Sequence, residues 1–122
     1  MAENKQYITQ VQKNGSVMIA EEVIATIAAH AIGDVEGINT IGGKPDVGIS
    51  EIIAKKNWGK GLKITIGQDN EVYIDCNVVI NYGQSVVAVA KAVQEAVASA
   101  IESVAGVTVA AVNVNICGIA RQ

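Results

Sequence analysis

The spacing of apolar and polar residues changes period several times along the chain, and each change marks an element. From Glu71 to Tyr82 apolar and polar residues alternate, with Val79 the apolar exception. Val72, Ile74, Cys76, Val78 and Ile80 share one side, and Tyr73, Asp75, Asn77, Val79 and Asn81 share the other. Such alternation predicts a strand with one buried face. Leu62 to Gly67 alternates too, with Leu62, Ile64 and Ile66 inward and Lys63 and Thr65 outward; Gln68-Asp69-Asn70 joins the two runs as a hairpin. A Tyr82-Gly83 turn leads into a helical period over 85–104. There Val86, Val89, Ala90, Val93, Val97, Ala100 and Val104 are expected on the buried face, and Lys91, Glu95 and Glu102 on the wet one. Gly106 stops the helix, and Val107 to Gly118 returns to alternation. Val112, Val114 and Ile116 point towards the helices, and Asn113, Asn115 and Cys117 point away.

The first half is less regular. Residues 1–14 are polar and expected to be partly disordered, although Tyr7, Ile8 and Val11 are able to join a sheet edge. Residues 15–120 read as one domain. Val17 to Ile19 suits a brief strand, and a helix follows from about Ala20 to Val35. Val23, Ile24, Ile27, Ala28 and Ala31 recur there at helical spacing, and Glu21 and Glu22 suit the positive end of the helix dipole. Gly37 is expected to close this helix as a left-handed cap. Asn39 to Gly61 is rich in glycine, with a turn or two of helix expected at 49–56. Residues 16–38 weakly echo residues 85–107, and both stretches end on Val-x-Gly followed by Ile or Val.

Together these elements predict a two-layer α+β domain. Two main helices cover one face of a small mixed sheet of three to four strands, leaving the other face open. Ala88, Ala92, Ala96 and Ala100 form a row at spacing four, the commonest packing ridge. That row suits close packing against the first helix or self-association, and alanine is also the best helix former. The open sheet face carries Asp75, Asn77, Asn113 and Asn115. Asparagine is disfavoured in strands, so these four form a candidate interaction face, although a wet face is ordinary in such sheets.

Composition narrows the chemistry. The chain has 122 residues, half of them hydrophobic, with no Phe, one Trp and three Tyr, so Val, Ile and Ala must fill one modest core. A net charge of −3 and scattered Lys and Arg disfavour a phosphate-binding surface. No apolar run reaches the roughly 20 residues of a membrane span, and the first residues lack a signal-peptide core. Cys76 and Cys117 give neither metal spacing nor a disulfide framework. His30 is the only histidine and has no assignable nucleophile or orienting acid. Gly42-Gly43-Lys44 lacks the remaining residues of a phosphate loop. Trp58 and Lys60, in the glycine-rich segment, form a candidate loop site. No catalytic set, metal or cofactor is expected.

With the motifs in view, the chain resembles the alkaline-shock protein family, general-stress proteins of Gram-positive bacteria. The resemblance rests on G-S-V-M-I-A-E-E-V-I-A-T-I-A-A-H-A, V-E-G-I, K-G-L-K-I, I-D-C-N-V-V-I-N-Y-G and A-G-V-T-V-A-A-V-N-V-N-I. It covers about 14–120. Ala20 departs from it, standing where the family often carries a capping Ser, and the helix at 85–104 is richer in alanine than usual. The resemblance implies a non-enzymatic cytoplasmic protein of envelope homeostasis. It further implies protein partners, in some members a membrane-anchored one. Self-association is instead an expectation from the alanine row, and the lack of a long apolar run speaks against direct membrane insertion. A regulator of acyl metabolism with Trp58 in a ligand-covering loop is the alternative. An RNA module is a weaker one: the element order is similar to one KH topology, but the phosphate clamp and basic groove are missing.

Overall fold

The computed structural model describes residues 7–42, 49–55, 58 and 61–121. Its elements are β1 (Tyr7–Gln12), β2 (Gly15–Ala20), α1 (Glu21–Gly33), β3 (Ile38–Ile41), α2 (Ile49–Ala54), β4 (Leu62–Ile66), β5 (Val72–Asn81), α3 (Val86–Ala105) and β6 (Val109–Ala120).

The long alternating run becomes β5, and β5 organises the main sheet. β6 pairs with it in parallel from Val72↔Val109 to Asn81↔Ala120. On the opposite edge two antiparallel strands share its length. β4 pairs with Val72 to Cys76, and β3 pairs with Val78 to Ile80. Gly42, just beyond β3, donates its N–H to the Asn77 carbonyl at 2.8 Å, which carries the β3 ladder to the start of β4. Gly61 immediately precedes β4, and a Cβ built on it would lie 2.8 Å from the Gly42 Cα. The chain therefore leaves the sheet edge at Gly42 and re-enters it at Gly61, almost touching its point of departure.

One side of this sheet is the core. Val72, Ile74, Cys76, Val78 and Ile80 are all buried, as their alternation predicted. Each fully buried Val or Ile contributes about 1.5–3 kcal/mol of transfer free energy. α1 and α3 pack against each other, with α1 against β4 and α3 against β6. α1 supplies Ile24, Ala25, Ala28, Ala29, Ala31 and Ile32 to the core. α3 supplies Val89, Val93, Val97, Ile101 and Ala105. Two assignments on α3 need correction, because Val86 is 40% and Val104 70% exposed, while Ile101 is fully buried. Val23 of α1 is likewise exposed. The small side chains on neighbouring positions blur the period, so sequence alone misplaces the ends of the stripe.

The two Val-x-Gly endings behave differently. Gly106 is the left-handed cap of α3, with φ 69°, and its N–H bonds the Glu102 carbonyl. α1 stops earlier, at Gly33, where tight-turn bonds run from Asp34 and Val35 back to Ala31 and Ile32. Gly37 is therefore not the α1 cap. It lies in the following turn with φ 100°, and its Cα packs so closely on α3 that a Cβ would sit 3.0 Å from a Val89 methyl.

The N-terminal stretch also departs from expectation. Tyr7–Gln12 forms a regular strand paired antiparallel with β2, in a two-stranded sheet of its own. Ile8 anchors it in the core. The Gln10 side chain donates to the Ala105 and Gly106 carbonyls, and Asn70 donates to the Thr9 carbonyl. Those tethers supply what an isolated hairpin lacks.

Candidate protein-interaction face

The second face of the main sheet carries polar side chains in register. Asp75 stands opposite Asn113, and Asn77 opposite Asn115, across the parallel β5–β6 ladder. Asn113 Nδ2 donates to Asp75 Oδ1 at 3.0 Å, and Asn115 Nδ2 donates to Asn77 Oδ1 at 3.0 Å. A third pair lies further along β5, where Asn39 Nδ2 donates to Asn81 Oδ1 at 3.1 Å. Lys63 and Thr65 of β4 stand across from Asp75 and Tyr73. The four residues expected on this face thus lie side by side as two hydrogen-bonded pairs. Each cross-strand pair adds roughly 0.2–1 kcal/mol, so the row orients its side chains more than it holds the fold together.

Asn39 was not expected here. It belongs to a strand too short to show alternation, and it reaches Asn81 only because a bulge falls between Ile38 and Thr40. Val79 breaks the polar row: it has the outward phase yet is fully buried, with its methyls over Gly118. Cys117 is exposed at the register irregularity between Ile116 and Gly118, and Cys76 is buried on the helix-facing side. Burial, with Asp75 adjacent in the chain, pushes the Cys76 thiol up to about 12, so at neutral pH it is a protonated apolar filler.

The remaining candidates lie elsewhere. Ala92, Ala96 and Ala100 are half-buried and Ala88 is exposed; Ala96 and Ala100 pack against the core. Trp58 is half-buried against the core, and its carbonyl accepts the Gly61 N–H at 2.8 Å. Lys60 lies outside the described residues. His30 is exposed in the last turn of α1. Among the described residues no cluster of His, Cys, Asp or Glu is placed to hold a metal ion. No described helix is long and apolar enough to cross a membrane. One open cleft of about 240 Å³ lies between Gln10, the Asp69–Glu71 turn and Gly106. Another, of about 280 Å³, lies beside Val23 and Thr26.

The family model for alkaline-shock protein 23, described as having a "cell envelope-related function", matches residues 9–121. The chain belongs to this alkaline-shock family. It is the family that the sequence motifs resemble, and its function is related to the cell envelope. Among similar proteins, "Uncharacterized protein YqhY" of Bacillus subtilis (strain 168) is 34% identical over 105 residues, which cover 86% of this chain and 77% of that protein. "Uncharacterized protein YloU" of the same organism is 30% identical over 109 residues, covering 88% and 90%. "Uncharacterized protein Spy1535" of Streptococcus pyogenes serotype M6 is 30% identical over 108 residues, covering 88% and 81%. No solved structure gives a significant match.

Proposed function

We propose that this alkaline-shock-family chain is a non-catalytic adaptor of the cell envelope that holds a protein partner on its polar sheet face. The observation carrying the reading is the row of register-matched pairs, Asp75–Asn113 and Asn77–Asn115, on the face the helices leave open. An amide offers two N–H donors and a carbonyl acceptor, and in the cross-strand bonds Asn113 and Asn115 each use a single donor. The side chains are already oriented by those bonds, so docking a polar surface on them costs little further rotamer entropy. Water can bridge what does not meet directly. The single carboxylate of Asp75 and the Lys63 ammonium across from it give such a partner a preferred orientation.

The envelope link in turn favours a partner that is itself held at the membrane, since no described helix of this chain is able to span one. Affinity capture from native cells with membranes retained tests the reading. The native chain is expected to bring down an envelope protein that the variant N77A/N113A/N115A loses. Capture of the same set of proteins by both would overturn it.

A further inference from the structure

β6 is an edge strand, and its outer edge has no strand partner among the described residues. The side chains above that edge show the same exposure. Ile74, Cys76 and Val78 of β5 are fully buried, whereas their register mates Val112, Val114 and Ile116 are only half-buried. Proteins commonly guard such an edge with charge, proline or bulges. From Val109 to Ala120 there is no charged residue and no proline. Irregularities in register occur only towards the two ends, which leaves Ala111 to Ile116 as a regular run.

The orientation of the backbone groups follows from two contacts. The Cys76 thiol lies 3.6 Å from the Asn113 carbonyl, so that carbonyl faces β5. The Val112 carbonyl instead accepts from the Gln94 side chain of α3, at 3.0 Å. Alternation along a strand then turns the N–H and C=O groups of Val112, Val114 and Ile116 outwards, away from β5.

We infer that this edge pairs with the same edge of a second copy of the chain, antiparallel and centred on Val114. In that register Val114 meets its own counterpart and Val112 meets the second copy's Ile116, so all three half-buried apolar residues face apolar residues. A shift of two residues either way would set one of them against Ala110 or Gly118. On the other face Asn113 comes opposite the second copy's Asn115. The amide row then continues over four strands, from Asp75 through Asn113 to the second copy's Asn115 and Asn77. No like charges meet, because the paired run has none. The opposite sheet edge is a poorer candidate, since it is split between β3 and β4 and bears Lys63. Such a two-fold contact closes on itself, so the product is a dimer.

This inference stands apart from the adaptor reading: it concerns the backbone edge and is read from self-association, with no envelope partner present. Sedimentation of the purified chain is expected to show a dimer at high micromolar concentration. Val114→Pro removes an outward N–H and is expected to weaken association at least tenfold. N113K/N115K would bring lysine opposite lysine across the seam; it is expected to give a folded monomer at low salt that regains the dimer as salt is raised.

A spin label on Cys117 fixes the register even if Val114→Pro fails to fold, because buried Cys76 stays unlabelled. The two Cys117 Cα atoms are each three residues from the centre, so they should lie about 20 Å apart. A monomer at every concentration would overturn the inference. So would a dimer whose labels lie far outside that distance once the label arms are allowed for, or whose N113K/N115K variant associates as tightly as the native chain at low salt.

Discussion

Gly61 and Gly42 approach so closely that a Cβ on the first would lie 2.8 Å from the Cα of the second. Two chain segments meet there end to end on one edge of β5, with backbone where a side chain would need to be. Gly61→Ala is therefore expected to force β3 and β4 apart. Overpacking of this kind costs about 1–3 kcal/mol. Urea denaturation of the native and G61A chains measures it, and an unchanged midpoint would show that the junction yields freely.

The two long helices begin differently. The Ser85 side chain accepts the Ala88 N–H at 3.3 Å, whereas Ala20, preceding α1, offers no side-chain cap. Ser85→Ala should destabilise the chain by about 1 kcal/mol and Ala20→Ser should stabilise it by roughly 0.5–1 kcal/mol. Thermal melting of the two variants should shift in opposite directions.

The position of the buried stripe on α3 has its own test. Ile101→Ala leaves a cavity under a fully buried side chain and should cost about 2–5 kcal/mol. Val104→Ala, at a position 70% exposed, should change stability by no more than about 0.5 kcal/mol. Comparable losses in the two variants would contradict the assignment.

Alkaline pH should reveal Cys76. Its thiol is held protonated in the folded chain, up to about 12, while in the unfolded chain it ionises near the ordinary thiol value of 9.0. A group whose folded pKa is raised supports the fold fully below the unfolded value and loses that support as pH rises towards the folded one. Stability should therefore fall between about pH 9 and 12, and Cys76→Ala should flatten that part of the curve. A slope unaltered by the substitution would assign the loss to other groups.

How much of this was legible depended on how strongly one period dominated a segment. β5, β6 and the outward phase of Asp75, Asn77, Asn113 and Asn115 followed from alternation that holds over most of both strands, and the α3 cap from Gly106. The stripe on α3 was read imperfectly because Ala and Val occupy almost every turn, so Val104 and Ile101 look equally suited to the core. β3 has four residues and a bulge, which erases its alternation and hid Asn39. The meeting of Gly42 and Gly61 depends on tertiary register, which no local pattern carries. β1 was hidden by its polar composition, since Ile8 alone reaches the core.

The parallel pairing of β5 with β6 has a mechanical consequence. A pull on the chain at Arg121 runs along the axis of β6, so it loads every rung of the ladder from Val109 to Ala120 in shear at once. A pull at Tyr7 acts on a two-stranded hairpin tethered by Ile8, Gln10 and Thr9, and it can peel those contacts away a few at a time. Under tension the two ends of the described structure are therefore unequal. The hairpin gives way first, and the sheet that bears the amide row keeps its shape.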